Sequence, residues 1–530
     1  MFDNIEEKLR CIYGIDDLDE WLIPSEKSVH SPFLLNNIKE VALKIIKAIE
    51  KNKNICISYD CDSDGICSGT ILYRYLNHFT DNISYIYNQR EHGHGISVQV
   101  VPEGVELLLI CDSSTSETEV CKELSDRGID ICILDHHPKT KDNPFALIVN
   151  NKLCDYPNKE LSGSGVVYKL IEVIDELTSN DYASNYIDLC GFGIYGDVMD
   201  MQEPENRYYV YNAIQNVKNP GIKALLKLKM SFGAKIDSQT IAFTIVPTIN
   251  ASARMGVIEK IIDLLLEDDY DKCLEMAKDI VGVNEERKKT EVKLYKIIKD
   301  RIDLSRNIII VKTTEEDKMD KGFYGLIATK ISDKYSKPSL VVKSKDGVCS
   351  GSGRSINNID FKSILEKTKL CDWVSGHAGA FGVQFKEENL EKIYKAVEDK
   401  IIYHEDKIYY YDLELEECEI DYDLIKTFEN FNLLSGKNAE STKVLIKGCR
   451  AIDRKVQGKL EDTIKIISDK MNFVKFRTNE KYAEELNNEI EFDVIGSLKI
   501  NKWYNNSRDV KSWQEDLQVF MEDYRVCDEN

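Results

Sequence analysis

The chain has 530 residues, of which 42% are hydrophobic and 31% are charged, and its formal net charge at pH 7 is −22. This length supplies several packed cores and exceeds one ordinary domain. No apolar stretch approaches the 18 or more residues of a membrane span, and the acidic N-terminus lacks a signal-peptide core. We therefore expect a cytoplasmic protein that makes no membrane contact.

The fifteen cysteines agree with that expectation. They are scattered singly, no Cys-x-x-Cys occurs, and several lie inside apolar, strand-like runs, as Cys56, Cys111 and Cys132 do. Such cysteines behave as small buried hydrophobic residues in a reducing compartment.

The predicted elements begin with a helix and a strand. Apolar residues recur at helical spacing over 36–51 and lead into the strand Ile55-Cys56-Ile57. Strand and helix patterns then alternate to about Met230, which predicts a parallel, doubly wound α/β sheet. Residues 255–303 contain few helix breakers and many charge pairs at helical spacing, so we expect a long connecting helix with a solvated charged face.

A smaller α/β domain is predicted from near Asn307 to about Tyr403. It contains the glycine-rich segment Ser350–Ser355 and, about twenty residues later, the turn Ser375–Ala380. Glycines let a backbone come close to a ligand, and an arginine among them offers a bidentate fork for phosphate. Each segment alone is more often a turn, but the pair indicates a phosphate-binding surface.

Five acidic and histidine clusters lie in the first two hundred residues. They are Asp60-Cys61-Asp62-Ser63-Asp64-Gly65, Cys111-Asp112-Ser113, Asp135-His136-His137, Asn150 and Gly196-Asp197. Most follow apolar runs such as Leu107-Leu108-Leu109-Ile110. Apolar runs that end in carboxylates are typical of buried parallel strands that deliver ligands to the carboxyl edge of a sheet. We expect these side chains, with Asp197, to lie at strand ends.

Carboxylates and imidazoles without a required thiolate suit two hard divalent cations, Mn²⁺ or Mg²⁺. Two such ions about 3.5–4 Å apart stabilise both the attacking and the leaving oxygen of a phosphoryl displacement. A lone aspartate after a strand is usually a turn former or a helix N-cap. That interpretation does not explain three alternating aspartates before a glycine together with an Asp-His-His triplet. The pattern predicts a metal-dependent phosphoesterase.

At these residues the chain resembles the DHH phosphoesterases, named for the Asp-His-His triplet, and within them the RecJ-type single-strand exonucleases. Further family motifs match, in the family's order, at Leu161–Val167, Pro247–Arg254, Gly325–Ala328, Ser352–Ser355 and Gly376–Ala378. The resemblance spans roughly Ser31 to Tyr524. It implies a DHH domain with an N-terminal extension over 1–254, a helical connector over 255–303, a DHHA1-like substrate-binding domain over 304–404 and a C-terminal OB-like β-barrel over 405–530.

The resemblance also implies site roles. Two metal ions, bridged by Asp112, would be held by Asp60, Asp62, Asp64, Asp112, His136 and Asp197. Asp60 takes a position where other family branches use a ligand histidine. Asp135 would orient the neighbouring histidines, and His137 would contact the scissile phosphate or the leaving oxygen. The expected catalytic residues are therefore His137, Asp135 and Asp112.

Substrate binding is implied in the same way. The matched positions are Arg90, Asn250, Arg254, Ser352, Arg354 and His377, and the arginines would grip the 5′ end of the substrate. The chain departs from the family pattern at Cys61, His92, His94, Asn151, Ala253, Lys330, Ser375 and Phe381. None of these departures removes a metal ligand. The later ones alter the substrate channel and bear on polarity, length preference and processivity.

Short alternating runs in the last region read as antiparallel strands. Basic and aromatic residues interleave there: Lys447, Arg450, Arg454, Lys475, Arg477, Lys499, Lys502, Trp503, Tyr504 and Arg508. This composition suits stacking of unpaired bases over a groove that follows the backbone. Equally, the aromatics pack the barrel and the lysines solvate it. RecJ-type proteins carry an oligonucleotide-binding barrel at this position, which favours the first interpretation.

Three functional classes follow. The four-part match favours a 5′-to-3′ single-stranded-DNA exonuclease of repair and recombination. The net charge of −22 favours instead a phosphodiesterase of short RNA or cyclic dinucleotides, because proteins that bind long nucleic acids usually have a basic footprint. A catalytically silent replication or repair scaffold is the third class, and the intact ligand set argues against it. We expect a monomer whose protein partners are a single-strand-binding protein or a helicase.

Overall fold

A computed structural model describes residues 5–87, 95–230, 234–356, 359–398, 400–401, 408–458, 461–478, 480–486, 489–506 and 511–527. The chain forms two compact units. The first comprises Met1–Asn284, Tyr411–Lys447 and Gly496–Val519, and the second comprises Glu285–Tyr410, Gly448–Ile495 and Phe520–Asn530. Each unit therefore contains segments from distant parts of the sequence.

The first unit is built on a five-stranded parallel sheet. Its strands are β1 (Ile55–Tyr59), β2 (Ile83–Tyr87), β3 (Leu107–Cys111), β4 (Asp130–Asp135) and β5 (Leu147–Asn150), in the order β2-β1-β3-β4-β5. The central strands are buried along their whole length, as their β-branched and leucine content predicts.

Both faces of this sheet are covered by helices. Ile57 and Leu109 point into one buried cluster, whereas Cys56 and Leu108 point into another on the opposite face. The helices of this unit are α1 (Ile5–Tyr13), α2 (Leu18–Leu22), α3 (Ile38–Glu50), α4 (Ser63–Leu76), α5 (Thr118–Asp126), α6 (Gly163–Thr178), α7 (Ile187–Gly196), α8 (Pro204–Gln215) and α9 (Pro220–Lys229). The predicted parallel, doubly wound sheet is confirmed.

The strand and helix alternation ends earlier than predicted, because the described residues between β5 and Met230 contain helices and no strand. A short helix α10 (Ser238–Thr240) and a π-helical turn (Ile241–Ile245) then lead into α11 (Val246–Arg254) and α12 (Ile258–Leu266). The predicted long helix follows as α13 (Tyr270–Ile298). No helix in the described ranges is long and apolar enough to cross a membrane.

The second unit contains a five-stranded mixed sheet. Its strands are β6 (Ile309–Thr313), β7 (Ser339–Lys345), β8 (Val348–Arg354), β9 (Trp373–Gly376) and β10 (Ala380–Lys386), in the order β6-β7-β8-β10-β9. Only β6 and β7 run parallel. The helices α14 (Lys321–Tyr335), α15 (Phe361–Thr368) and α16 (Leu390–Glu398) accompany it, and Phe361, Phe381 and Phe385 fill its core.

The C-terminal strands form a third sheet. Its strands are β11 (Leu413–Glu416), β12 (Val444–Ala451), β13 (Asp453–Gln457), β14 (Thr463–Ile467), β15 (Asn472–Phe476), β16 (Ile490–Asn506) and β17 (Lys511–Val526), with helix α17 (Tyr422–Phe431) between β11 and β12. Their order is β11-β12-β16-β17-β15-β14-β13. Within the described ranges no pairing joins the outer strands β11 and β13, so the predicted closed barrel stays a prediction. All fifteen cysteines are free thiols, and most are buried.

Candidate metal centre

Three aspartates of the predicted site lie at the ends of neighbouring strands. Asp60 directly follows β1, Asp112 directly follows β3, and Asp135 is the last residue of β4. Because β3 lies between β1 and β4 in a parallel sheet, these carboxylates share one edge. The predicted strand-end location is confirmed for these three positions.

Asp197 reaches the site differently. The expectation of a strand before it is wrong, because the mostly apolar segment Ile187–Gly196 forms helix α7 and Asp197 follows its last turn. Two glycines allow helix α7 to pack closely on its neighbours. A Cβ at Gly191 would collide with the backbone of Tyr209, and a Cβ at Gly193 would collide with Ser164 and Asp64. The helix thus lies directly on the metal-site residues.

Ligand atoms gather in three groups, each with its atoms within 4.8 Å of one another: Asp60 with Asp62 and Asp112; Asp64 with His136 and Asp197; and Asp112 with His136 and His137. Asp112 and His136 each belong to two groups. The Nε2 atom of His136 lies 3.3 Å from Asp112 Oδ1 and 3.3 Å from Asp197 Oδ2. These contacts join the groups into one cluster.

The donor set fits a pair of divalent cations. Asp112 and His136 are each 2% exposed. In the described part of the chain, neither ring nitrogen of His136, nor Asp112 Oδ1, nor Asp197 Oδ2 has a hydrogen-bond partner, although all four atoms are buried. Buried polar atoms are normally satisfied, so this concentration of unsatisfied ones calls for a ligand. Carboxylate oxygens and an imidazole are what Mn²⁺ and Mg²⁺ accept.

The charge balance gives the same indication. Burial, reinforced by the charges of Asp64 and Asp62, raises the pKa of Asp112 well above its usual range and that of Asp197 to about 8. Burial, followed by the charge of His137, lowers the pKa of His136 to about 3. The imidazole is therefore neutral, as a metal ligand must be, and the carboxylates repel one another until a cation binds.

Asp64 is tied to the start of α6. Its Oδ1 accepts hydrogen bonds from Ser162 Oγ at 2.9 Å and Ser164 N at 3.1 Å, and its Oδ2 accepts one from Gly163 N at 2.7 Å. Free backbone N–H groups at a helix N-terminus favour a carboxylate. The segment Leu161–Val167, which the sequence indicated only as a helix start, thus fixes a predicted metal ligand.

Asp112 has a strained backbone, with φ of +60° in the left-handed region. Its backbone N–H donates to the carbonyl of Leu134, which anchors it to β4 at 2.8 Å. Gly163 lies against its side chain, and a Cβ at position 163 would be 2.5 Å from Asp112 Oδ1. The strained turn and the absent Cβ together aim the carboxylate into the cluster.

Asp135 is fully occupied by hydrogen bonds. Its Oδ2 accepts from Thr115 N and Thr115 Oγ1 at 3.1 and 2.6 Å, and its Oδ1 accepts from His136 N and His137 N at 2.7 and 3.1 Å. Burial alone would raise its pKa, but the hydrogen bond and charge of His137 hold the pKa of Asp135 below its usual range. This ionised carboxylate holds the histidines rather than joining any ligand group.

His137 presents one ring nitrogen outward. Its Nδ1 is 2.8 Å from Asp135 Oδ1, and its side chain is 44% exposed. This pairing orients the imidazole so that Nε2 faces away from Asp135. Asn150 holds the same turn, because its Nδ2 donates to the His137 carbonyl at 2.9 Å and to Thr115 Oγ1 at 3.2 Å. Thr115 was missed in the sequence, where it was indistinguishable from a helix cap.

The predicted substrate residues of the first unit lie on α11 or outside the described residues. Asn250 and Arg254 occupy the same face of α11, four residues apart, and the Oδ1 atom of Asn250 is buried without a hydrogen-bond partner among described residues. Arg90, His92 and His94 lie outside the described residues. A π-helical turn precedes α11, a feature that often marks functional sites.

The second unit brings Ser352, Arg354 and His377 to one end of its sheet. Ser352 and Arg354 pair with Gly382 and Ala380 of β10, and His377 begins the tight turn before Ala380. Arg354 Nε donates to Thr329 Oγ1 at 3.0 Å, and a Cβ at Gly325 would be 2.5 Å from its guanidinium. Thr329 was not recognised from sequence, although it lies beside the matched segment Gly325–Ala328.

Two departures from the family pattern are clarified. Phe381 was expected to alter the substrate channel, but it is buried in the core of the second unit, with its ring centroid 5.8 Å from that of Phe361 and packed against Gly353. A large side chain there fills space above a glycine. Lys330 lies 3.6 Å from Glu291 and above the ring of Tyr295.

Most predicted basic residues of the C-terminal region have acidic or carbonyl partners. Ion pairs join Lys447 to Glu414, Arg450 to Glu489, Arg477 to Asp333, Lys499 to Asp237 and Lys502 to Glu515. Arg454 donates to the carbonyls of Glu480 and Tyr482, and Lys475 donates to that of Glu522. Trp503 is partly exposed, whereas Arg508 and the side chain of Tyr504 lie outside the described residues. The region is thus less basic than its composition indicated.

Comparisons with known proteins agree with this geometry. The model of the DHH family, N-terminal domain, matches residues 54–194, and the DHHA1 domain model matches residues 306–402. The first match contains every predicted metal ligand except Asp197, and the second contains Ser352, Arg354 and His377.

Among curated proteins, the chain is 27% identical to the "Putative SPbeta prophage-derived single-strand DNA-specific exonuclease YorK" of Bacillus subtilis, over 92% of each chain. It is 25% identical to the single-stranded-DNA-specific exonuclease RecJ of the same organism, over 92% of this chain and 64% of RecJ. The crystal structure of RecJ from Thermus thermophilus in complex with Mn²⁺ superposes with a TM-score of 0.75 at 20% identity, over 99% of this chain and 76% of that one. This structural likeness concerns the fold.

Proposed function

We propose that the chain is a two-metal-dependent exonuclease of the DHH family that degrades single-stranded DNA from the 5′ end to mononucleotides. The observation that carries this proposal is the buried cluster in which His136 lies 3.3 Å from both Asp112 and Asp197. Relatives named as single-strand DNA-specific exonucleases cover almost the whole chain and support the substrate class.

Two divalent ions, when bound, would supply charge stabilisation for the attacking and leaving oxygens of the scissile phosphodiester. The residues that would hold them are Asp60, Asp62, Asp64, Asp112, His136 and Asp197. Mn²⁺ is the first choice and Mg²⁺ the second, because a neutral imidazole in the ligand set suits Mn²⁺ better. The protein must in addition hold the phosphate and manage a proton.

His137 is placed for that second task. With Nδ1 held 2.8 Å from the carboxylate of Asp135, its Nε2 faces away from that carboxylate, where a phosphate or the departing oxygen would lie. The ionised Asp135 stabilises a positive charge on the imidazole. His137 therefore binds the scissile phosphate or gives a proton to the leaving oxygen. Asp135, which is held by Thr115, orients the imidazole, and Asn150 holds the backbone carbonyl of His137.

The grip on the 5′ end is proposed for Ser352, Arg354 and His377, with Arg254, Asn250 and Arg90 on the DHH side. Charge distribution supports this choice. Residues 285–410 carry 25 Lys and Arg against 21 Asp and Glu, although the whole chain carries 70 against 92. The DHHA1 part is thus mildly basic within an acidic protein, which suits binding of phosphate groups.

We propose a division of labour along the predicted boundaries: chemistry over 1–254, a helical connector over 255–303, end recognition over 304–404 and single-strand binding by an OB-like domain over 405–530. Exposed rings support the last assignment. Phe476 and Trp503 are both more than one third exposed, and bases stack on such rings. Monomeric state, cytoplasmic location and partnership with a single-strand-binding protein or helicase stay predictions.

A second candidate is a phosphodiesterase of short RNA or cyclic dinucleotides. It is favoured by one observation, the pairing of most C-terminal basic residues with acidic side chains, which leaves little positive charge for a long strand. A catalytically silent scaffold is the least favoured class, because the ligand set is gathered and unsatisfied.

The test is Mn²⁺-dependent digestion of 5′-labelled and 3′-labelled single-stranded DNA, beside matched RNA, duplex DNA and a cyclic dinucleotide. We expect early release of labelled mononucleotide from the 5′-labelled strand only. Turnover restricted to short RNA or the dinucleotide would move the function to the second candidate. Turnover of none, in protein that binds Mn²⁺, would favour the scaffold.

A further inference from the structure

We propose that a hairpin from the C-terminal part of the chain, Ser435–Ala439, positions Asp197 in the metal centre. This inference rests on the proposed function, since it takes Asp197 as a metal ligand. It assigns a role at the catalytic site to residues more than two hundred positions away in sequence and outside both matched domain models. All the contacts that carry it lie within the first compact unit.

The segment that carries Asp197 needs an external support. The loop 197–203 leaves α7 through Val198, whose φ is +56° and whose side chain is 62% exposed. A β-branched residue in the left-handed region is a genuine outlier, and such strain persists only where the surroundings impose it. Asp197 itself has 22% of its side chain exposed, whereas Asp112 and His136 are almost fully buried. Its position therefore depends on what holds the loop.

The hairpin holds this loop on both sides of Val198. Before it, Tyr195 Oη donates to the carbonyl of Ser435 at 2.7 Å. After it, the backbone N–H of Met201 donates to the carbonyl of Lys437 at 2.9 Å, and Asn438 Nδ2 donates to Asp200 Oδ2. Three anchors thus flank the strained residue.

The hairpin is rigid enough for that task. Gly436 and Ala439 exchange two backbone hydrogen bonds of 2.9 and 3.1 Å, which closes a two-residue turn. Asn438 has φ of +61°, a conformation that asparagine tolerates better than most residues. Leu434 and Ala439 are buried in the same core as Met199 and Met201. The hairpin is therefore packed against the hydrophobic core of the first unit.

The same hairpin reaches the segment that holds Asp64. Lys437 Nζ lies 2.9 Å from Glu160 Oε2, two residues before Ser162, which donates to Asp64. Asn206 strengthens this link, because its Nδ2 donates to the carbonyls of both Glu160 and Asp200. The surface ion pair alone contributes little. Its geometry nevertheless connects the supports of two ligands, Asp64 and Asp197, through one side chain.

Close packing identifies the sharpest variant. A Cβ at Gly436 would be 2.6 Å from Met201 Cγ and 3.2 Å from the Tyr195 ring, so Gly436→Val must displace the loop or the hairpin. Tyr195→Phe is the mild variant, since it removes one anchor and keeps the ring, and Asn438→Ala removes another. Glu440→Gln is the matched control, because its exposed side chain is near Lys443 and not near the loop.

Mn²⁺ binding to the full-length protein, counted by electron paramagnetic resonance of the free ion, is the measurement. We expect the dissociation constant of at least one of two ions to rise about tenfold or more in Gly436→Val and in the Tyr195→Phe, Asn438→Ala double variant, the size usual for lost outer contacts of metal ligands. Glu440→Gln should bind as the wild type does. Adding Val198→Gly to the double variant should restore part of the affinity. Glycine adopts the left-handed backbone conformation of residue 198 without strain, so the loop then needs less support from the hairpin.

The outcomes separate the two proposals. If the wild type binds no Mn²⁺, the proposed function fails. If the wild type binds two ions and the folded double variant binds both with unchanged constants, the positioning role of the hairpin is overturned. A loss of affinity that Val198→Gly does not reduce would also overturn it, since general destabilisation would then explain the loss.

Discussion

The metal centre of the first sheet and the glycine-rich site of the second sheet are built in opposite ways. In the first, nearly every functional carboxylate is buried, and neighbouring backbone and hydroxyl groups fix its direction. In the second, His377 is exposed on a hairpin, and Arg354 is partly exposed and donates hydrogen bonds to Thr329 and to the carbonyl of Gly353. We infer that the proposed chemistry is preorganised at a cost in stability, whereas the proposed end recognition uses side chains that can adapt.

That cost is visible in the metal centre. Asp112 combines left-handed backbone, almost complete burial and repulsion from its neighbours. The glycine-rich site shows no comparable strain among its described residues: Gly376 alone has a positive φ, and it is a glycine. Variants should therefore separate the two regions by both activity and stability.

The largest effect is expected for Asp112→Asn. Turnover should fall by more than about a thousandfold, above the 10–100-fold typical of outer contacts, because the shared ligand is lost. In the presence of EDTA at pH 8 the same variant should unfold at a higher temperature than the wild type, because it removes a buried charge whose pKa the fold raises. Initial rates and thermal unfolding check the two halves.

Asp135→Asn is the matched control for the stability half. The fold lowers the pKa of Asp135, so its charge stabilises the protein at pH 8, and the variant should unfold at a lower temperature. If both variants shifted the unfolding temperature in the same direction, the contrast between repelled and satisfied carboxylates would be wrong.

Gly163→Ala tests preorganisation without touching a ligand. The new methyl group would lie 2.5 Å from Asp112 Oδ1, so the carboxylate must turn away. We expect a 10–100-fold loss of turnover, as for other lost outer contacts, with most of the loss in kcat and little in KM. Gly282→Ala on α13 is the matched control, since a Cβ there meets no atom within 4 Å and the backbone of Gly282 is helical. Wild-type kcat in Gly163→Ala would show that Asp112 needs no such close packing.

The sequence predicts the buried strand ends of the metal centre well, and it predicts other parts of the site less well. The strand-end positions of Asp60, Asp112 and Asp135 could be read from the pattern, because a buried parallel strand fixes where its last residue points. The strand expected before Asp197 was wrong. Nine of the ten residues Ile187–Gly196 are apolar or glycine, so the segment lacks the amphipathic periodicity of a surface helix, and its glycines pack closely on Tyr209 and Ser164.

Contacts between segments that are distant in the chain could not be predicted from the sequence. Thr115 and Thr329 look like ordinary cap and helix residues, and nothing local indicates that they hold Asp135 and Arg354. Phe381 was predicted to alter the substrate channel, but its side chain is buried in the core beside Phe361. The basic residues of the last region were visible in composition, but their acidic partners come from elsewhere in the chain, as Arg477 with Asp333 shows.

Arg354→Ala should have a smaller and more selective effect. We expect roughly a tenfold loss of kcat/KM on 5′-phosphorylated strands and little change on 5′-hydroxyl strands, because one charge-assisted contact is worth about 1.5–3 kcal/mol and the exposed site screens part of it. Thr329→Val should give a weaker version, since it removes one hydrogen bond that positions the guanidinium. Lys367→Ala is a basic control on α15. An equal loss on both substrates would remove Arg354 from end recognition.

The smallest effect concerns pH and isolates Asp197. In metal-free protein its folded pKa is about 8, far above the value of an unfolded aspartate, so the folded state takes up a proton as pH falls from 8. Between pH 8 and pH 6.5 the free energy of unfolding should rise by an amount on the order of 1 kcal/mol from this group. Below pH 6.5 His136 opposes the gain, because its folded pKa is about 3 and the unfolded state is then the one that gains protons.

Denaturant unfolding in EDTA at several pH values measures the slope, and Asp197→Asn should flatten it while Asp142→Asn, at an exposed surface position, should not. A wild-type slope of the opposite sign would mean that the carboxylates do not repel one another in the metal-free site, and the stability cost assigned to the metal centre would then have to come from the backbone of Asp112 alone.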